Sequence, residues 1–237
     1  MNGPPLIPEL AEEGLLLQAA VKIFDLGDAT RSALAEVGVE LSDFRSLVLL
    51  AQAGSMFWDR QVVNNLHLDD PFDDRAMAVV ESWFESTHPH ASWQVVYPGP
   101  ASLPLGQLAT RVGWGASSPL GLTINDEFGL WTAHRLAFVT DLEFVSSVAG
   151  PMFAHPCESC RDTPCVSACP VEAVSFSSGY DVESCARHRI TDGSPCAHQC
   201  LARNACPVGS VHHYGTEQMT HHYGAGLGSI RDWLDES

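Results

Sequence analysis

Lysine is almost missing from this chain. Lys22 is the sole example among 237 residues, and the 12 basic residues face 29 acidic ones, leaving a formal net charge of −17 at pH 7. Nucleic-acid binding rests on cations that neutralise phosphates, so this balance argues against RNA or DNA as a partner. An anionic surface keeps the protein in solution and also suits the steering of a basic redox partner protein. No apolar run approaches the ~18 uninterrupted residues of a membrane span, which argues against a membrane location. The opening Met1-Asn2-Gly3-Pro4-Pro5 lacks the basic segment of a secretory signal, so a cytoplasmic protein is expected. Cysteine is absent before Cys157, and no Asp or Glu occurs between Val96 and Asn125. No dinucleotide fingerprint, Walker A sequence or Ser/His/Asp order appears either, which removes the commonest nucleotide-binding and hydrolase signatures.

What is present is a concentrated cysteine pattern. All 8 cysteines fall in the order Cys157-x2-Cys160-x4-Cys165-x3-Cys169-Pro170, then Cys185, then Cys196-x3-Cys200-x5-Cys206-Pro207. Two [4Fe–4S] clusters take four thiolates each, and bacterial two-cluster runs end in Cys-Pro, so the count closes with none left over. Proline fixes φ after the last ligand and turns the chain away. A disulfide framework would require export to an oxidising compartment. Zinc is the other alternative, but zinc sites pair two Cys-x2-Cys knuckles, whereas here a lone Cys185 precedes a stretched second run. The widened loop Arg161-Asp162-Thr163-Pro164 is expected to alter cluster exposure and hence potential.

Hydrophobic residues make up 45% and charged residues 17% of the chain, the balance of a globular protein. Composition changes near Gly150-Pro151. Residues 1–150 are expected to form an α/β module for cofactor or partner binding, and residues 151–237 a cluster domain with a C-terminal tail, giving an α+β fold overall. Helices are expected over Pro8–Phe24, Asp28–Val37 and Asp70–Thr87, and buried strands over Ser46–Ala51 and Trp93–Tyr97. Pro119–Ile124 and Leu130–Thr140 read as a strand pair, or as a strand and loop lining a site. The stretch from Tyr97 to Gly121 is rich in Gly, Pro and Ser, which ordinary turns explain about as well as a ligand loop does. The repeated His212-His213-Tyr214-Gly215 and His221-His222-Tyr223-Gly224 read as surface or cluster-covering residues, since nine residues place the pairs on opposite sides of any continuous helix.

The cysteine path to Pro207, with Gly113-Trp114 and Leu122-Thr123-Ile124-Asn125-Asp126-Glu127-Phe128-Gly129-Leu130-Trp131 upstream, resembles epoxyqueuosine reductases and reductive dehalogenases, as does Arg45-Ser46-Leu47-Val48-Leu49-Leu50. That resemblance implies a nitroreductase-like α/β module that binds cobalamin, followed by a two-[4Fe–4S] ferredoxin module that delivers electrons to it. Carried over by position, one cluster would use Cys157, Cys160, Cys165 and Cys206, and the other Cys169, Cys185, Cys196 and Cys200. Gly113, Trp114 and Gly121 would then contact the cofactor. Epoxyqueuosine reductases place an acidic proton donor ahead of the Gly-Trp segment, and this chain has none there; Tyr97 is the best substitute, with Arg111 and His134 as candidates for orienting an anionic group. The reading is an iron–sulfur oxidoreductase acting on a small-molecule substrate. The alternatives are a ferredoxin-type electron carrier or docking protein without substrate chemistry, and a zinc-stabilised interaction module.

Overall fold

The computed structural model describes residues 6–61, 70–148 and 155–236; the composition boundary at Gly150-Pro151 therefore lies outside the described residues. The chain divides into two compact units, Met1–Trp114 with Thr132–Phe153, and Gly115–Trp131 with Ala154–Ser237. In chain order the elements are α1 (Pro8–Glu12), β1 (Leu17–Lys22), α2 (Asp28–Glu36), β2 (Ser46–Ala53), α3 (Met56–Gln61), α4 (Pro71–Thr87), β3 (Trp93–Tyr97), α5 (Leu105–Arg111), β4 (Ala116–Ser117), β5 (Thr123–Ile124) and β6 (Thr132–Thr140). They continue with α6 (Pro164–Ser167), β7 (Val174–Ser175), β8 (Gly179–Tyr180), α7 (Val182–Ile190), α8 (Leu201–Asn204), α9 (Thr216–Ala225) and α10 (Leu227–Glu236).

The first unit is an antiparallel sheet of order β1-β2-β6-β3. Every residue of β2 is buried, as the near-continuous apolar run of a central strand requires. Helix α4 begins at Pro71, whose missing N–H costs nothing in a first turn, and its acids Asp73 and Asp74 suit that end of the helix dipole. Its residues Phe72, Ala76, Val80, Trp83 and Phe84 recur at helical spacing and join Val48, Leu50, Leu136 and Phe138 in one core. Phe84 stacks on Trp93 at 4.5 Å and meets Phe138 edge-on at 5.4 Å, closing that layer with aromatic contacts.

The expected helix over Pro8–Phe24 is not formed. Helix α1 ends at Glu12, Gly14 turns the chain with φ +95, and β1 pairs with β2 from Leu17↔Ala51 to Lys22↔Ser46. A Cβ at Gly14 would lie 2.6 Å from the Phe57 backbone nitrogen, so the turn also admits a close backbone approach. Leucine and alanine favour helix locally, but pairing with a fully buried strand outweighs that preference.

The expected pairing of Pro119–Ile124 with Leu130–Thr140 is also corrected. β5 pairs with β4, whereas β6 lies between β2 and β3 in the first unit's sheet. In the second unit the Asn125–Gly129 turn is held by Asn125 Oδ1, which accepts the N–H groups of Glu127 and Phe128, both at 2.9 Å. Gly129 (φ +57) and Gly209 (φ +65) let this turn press against the segment after Cys206: a Cβ on Gly129 would sit 1.9 Å from the Val208 carbonyl oxygen.

Candidate metal centre

All 8 cysteines are free thiols in the second unit, so no disulfide frames it. Cys157 lies in a short 3-10 helix, Pro156–Ser159, that Cys160 caps; Cys165 lies on α6 and Cys185 on α7, Cys200 caps α8, and Cys169, Cys196 and Cys206 lie in the connections after α6, α7 and α8. Their mutual electrostatics sort them into two groups. Burial pushes the Cys157 thiol up to about 11, with Cys206, Cys165 and Cys160 adding to the shift. Cys165 is raised by burial and then by Cys206 and Cys160, and Cys206 by burial and then by Cys160. In the other group, Cys196 is raised by burial and then by Cys185 and Cys169, and Cys200 by burial and then by Cys185 and Cys196. For these five thiols, the neighbouring cysteines that raise the pKa fall within the foursome carried over from the resemblance.

The second foursome, Cys169, Cys185, Cys196 and Cys200, lines a cavity of about 190 Å³ together with Leu120, Val174, Tyr180, His188, Arg189 and Tyr223. Backbone amides point at the sulfurs: the Ala173 N–H donates to Cys169 Sγ at 3.3 Å and the Arg203 N–H to Cys200 Sγ at 3.4 Å. Amide donors from Val166, Leu201 and Val208 serve Cys165, Cys196 and Cys206, and favour their thiolates. Burial and a hydrogen bond to Cys185 raise the Tyr180 pKa, so its phenol stays a donor. Beside the first foursome, His155 Nδ1 accepts the Cys157 N–H at 3.2 Å while Nε2 donates to the Ser117 carbonyl at 2.9 Å, which fixes the tautomer. Among the described residues no three His, Cys, Asp or Glu side chains converge as the ligands of a single ion would. A tetrahedral zinc site with ~2.3 Å bonds would draw its sulfurs to within about 4 Å of one another.

Two arginines border the second foursome, and sequence reasoning missed both. Arg203 is 9% exposed, with its guanidinium 4.5 Å from the Trp131 ring and 5.0 Å from that of Tyr214. Its Nη2 donates to the Leu130 carbonyl at 2.6 Å, while Nε is buried with no acceptor. Arg189 lies four residues after Cys185 on α7, on the same helical face, and donates to the Tyr223 carbonyl at 2.6 Å. The spacings Cys185-x3-Arg189 and Cys200-x2-Arg203 were the available signal. The histidine repeat takes a covering role: His212 packs on Phe128 at 4.7 Å and His213 on Trp131 at 4.4 Å, while His221 and His222 lie on α9.

The remaining candidates are dispersed between the units. Tyr97 ends β3 in the first unit, where burial, and then the charge of Asp73, raise its pKa. Asp73 is itself raised by burial and faces Arg135 at 3.9 Å, and Arg135 Nε donates to the buried Gln52 at 2.9 Å. This polar group on β2, β6, α4 and β3 was not legible as a cluster. His134, on β6, is pushed down to about 4 by burial, so it is neutral at pH 7 and offers no charge to an anion. Arg111 is exposed and donates to the Asp25 carbonyl. Gly113 (φ +75) closes α5, and Trp114 is buried with its ring 5.6 Å from that of His134. Gly121 (φ +72) lies in the second unit, where a Cβ would stand 3.6 Å from the Tyr180 ring.

No family model and no curated protein matches the chain. Among solved structures, an epoxyqueuosine reductase with an epoxyqueuosine-modified tRNA-Tyr stem loop is similar over 91% of this chain and 67% of its own, at 17% identity and a TM-score of 0.57. The epoxyqueuosine reductase of Bacillus subtilis, seen with its catalytic aspartate loop swung out of the active site, covers 89% of this chain and 66% of its own at 18% identity and a TM-score of 0.57. A reductive dehalogenase, whose structure suggests a mechanism for B12-dependent dehalogenation, covers 92% of this chain and 33% of its own at 14% identity and a TM-score of 0.51. The chain spans about two thirds of the length of these epoxyqueuosine reductases. Its mixed α+β fold, built on an antiparallel sheet, is the fold of the epoxyqueuosine reductases, the group its sequence resembles.

Proposed function

We propose that this protein is an iron–sulfur oxidoreductase that passes electrons singly through two [4Fe–4S] clusters to a corrinoid held by a nitroreductase-like first module, in the cytoplasm. Cys157, Cys160, Cys165 and Cys206 would hold one cluster, and Cys169, Cys185, Cys196 and Cys200 the other. The observation that supports the proposal is a cavity lined by the four free cysteines Cys169, Cys185, Cys196 and Cys200, with Cys157, Cys165 and Cys206 packed in one hydrophobic cluster of the same unit. The surroundings suit an anionic, sulfur-rich group: amides aim at the sulfurs, and the buried Nε atoms of Arg189 and Arg203 have no acceptor among the described residues.

When bound, the clusters supply one-electron storage at each foursome. The chain's own residues do the rest. Amide donors hold negative charge on the sulfurs, and the walls Leu120 and Val174 exclude water from the second foursome. In the first module Tyr97, kept protonated by burial and by Asp73, would hold the proton for a small-molecule substrate at its phenolic oxygen. Gly113 and Trp114, in the first unit, would contact the corrinoid. The net charge of −17 favours a small substrate and a basic redox partner protein over a tRNA stem loop.

Anaerobic purification with iron and sulfide analysis should give about eight irons per chain; a colourless protein containing zinc would overturn the proposal. A second reading is a ferredoxin-type carrier that hands electrons to a partner without substrate chemistry, favoured by the acid-free stretch from Tyr97 to Ile124. Titrating cob(II)alamin into the reduced protein separates the two, since an unchanged spectrum would leave only the carrier.

A further inference from the structure

We propose that Arg203, assisted by Arg189, makes the foursome Cys169, Cys185, Cys196 and Cys200 the first to accept an electron, so that buried cations placed beside one cluster set the direction of flow. This rests on the two-cluster reading above and goes beyond it by ranking the clusters.

A guanidinium removed from water is costly unless an anion or a full set of hydrogen bonds compensates it. Arg203 has neither among the described residues. Among the described residues it forms no ion pair with a carboxylate and its Nε lacks an acceptor, while Nη1 reaches the Tyr223 hydroxyl at 3.5 Å, Nη2 donates to the Leu130 carbonyl, and two aromatic rings flank the guanidinium. Those partners fix its position without neutralising it. Arg189 lines the cavity of this foursome, and Arg203, whose backbone N–H donates to Cys200 Sγ at 3.4 Å, touches Tyr223 of the same cavity wall through Nη1. At the other foursome Arg161, the cation nearest in sequence, is exposed and screened by solvent.

Taking up one electron adds one negative charge to a cluster, and no bond is made or broken. A buried cation stabilises that added charge more strongly than the same cation in water, because the surrounding dielectric is low. The foursome beside Arg203 and Arg189 is therefore reduced before the one beside Cys157.

The test is an anaerobic redox titration with dithionite of the full chain, followed by electron paramagnetic resonance, in wild type, Arg203→Gln and Arg203→Lys. Wild type should show two one-electron steps. Arg203→Gln should weaken reduction at the higher-potential step at least tenfold, which is about 59 mV for one electron, and leave the lower step in place; Arg203→Lys should keep the wild-type value. An unmoved upper step, or an equal fall of both steps, overturns the proposal. So does a lysine variant that falls with the glutamine one, since Arg203 would then act by packing alone. If Arg203→Gln loses its iron, Arg189→Gln replaces it, and an upper step unmoved in that variant overturns the proposal equally. A wild-type protein that lacks two clusters refutes the underlying reading instead, and iron analysis tells the two failures apart.

Discussion

His134 offers a direct measure of how completely the first unit excludes water. It stands on β6 opposite Ala51, with its ring 5.6 Å from that of Trp114, and burial lowers its pKa from 6.5 to about 4. The folded state therefore holds it neutral, whereas the unfolded chain takes up a proton as pH falls through 6.5. Between those two values the unfolded state binds more protons, so stability rises with pH across the window and is lost on acidification. From the two pKa values the loss relative to pH 8 is about 2 kcal/mol at pH 5, approaching about 3 kcal/mol below pH 4. Chemical unfolding at pH 8, 6.5 and 5, followed by tryptophan fluorescence under anaerobic conditions, should be compared between wild type and His134→Gln. Both share every cysteine, so acid effects on the second unit cancel in the difference. Wild type should lose about 2 kcal/mol more than the variant between pH 8 and pH 5. Parallel pH curves would refute the reasoning and place the imidazole in contact with solvent.

Four further outcomes follow from the structure. Gly129→Ala should cost far more thermal stability and bound iron than Gly193→Ala: both glycines have positive φ, but only the first would drive a Cβ to 1.9 Å from a backbone oxygen, while the second meets nothing within 4 Å. Equal losses would show that backbone conformation alone matters. Cys185→Ala combined with Cys200→Ala should lose no more iron than either alone, whereas Cys185→Ala with Cys157→Ala should lose iron from both foursomes; additive losses in the first pair would refute the grouping. Asp73→Asn should lower the Tyr97 pKa, because the Asp73 charge helps to raise it, and an ultraviolet titration of tyrosinate against a Tyr97→Phe control reads the shift. Tyr97→Phe should itself abolish turnover while leaving corrinoid binding intact.

The parts of the fold that were legible in sequence are those in which one local pattern has one structural solution. Ser46–Ala51 is apolar on both faces and becomes the centre of the sheet, and Phe72 to Phe84 repeats at helical spacing and becomes the buried face of α4. Pro8–Phe24 failed because its leucines and alanines satisfy both periods, and the arbiter was β2, more than twenty residues away. Leu130–Thr140 contains a strand as expected, yet its partners are β2 and β3 rather than the adjacent Thr123–Ile124. Strand pairing at that separation depends on which faces are left to bury, which local spacing does not encode.

The candidate site divides in the same way. Cysteine spacing pointed to thiol-rich chemistry, because ligands in short turns lie close in sequence as well as in space. The surroundings that would tune that chemistry do not. Arg203 reads in sequence as one of 12 basic residues in an acidic chain, and a surface position would be the default for it. Its partners Leu130 and Trp131 come from more than seventy residues upstream, delivered by a turn that two facing glycines bring against the segment after Cys206. With 29 acids available, a carboxylate partner for a buried guanidinium would have been easy to supply. Among the described residues the protein instead meets it with aromatic faces, the Tyr223 hydroxyl and a carbonyl, which leaves its positive charge uncancelled beside Cys200. A salt-bridged arginine would present the foursome with almost no net field, so the missing carboxylate is what lets this residue act on the charge of its neighbours.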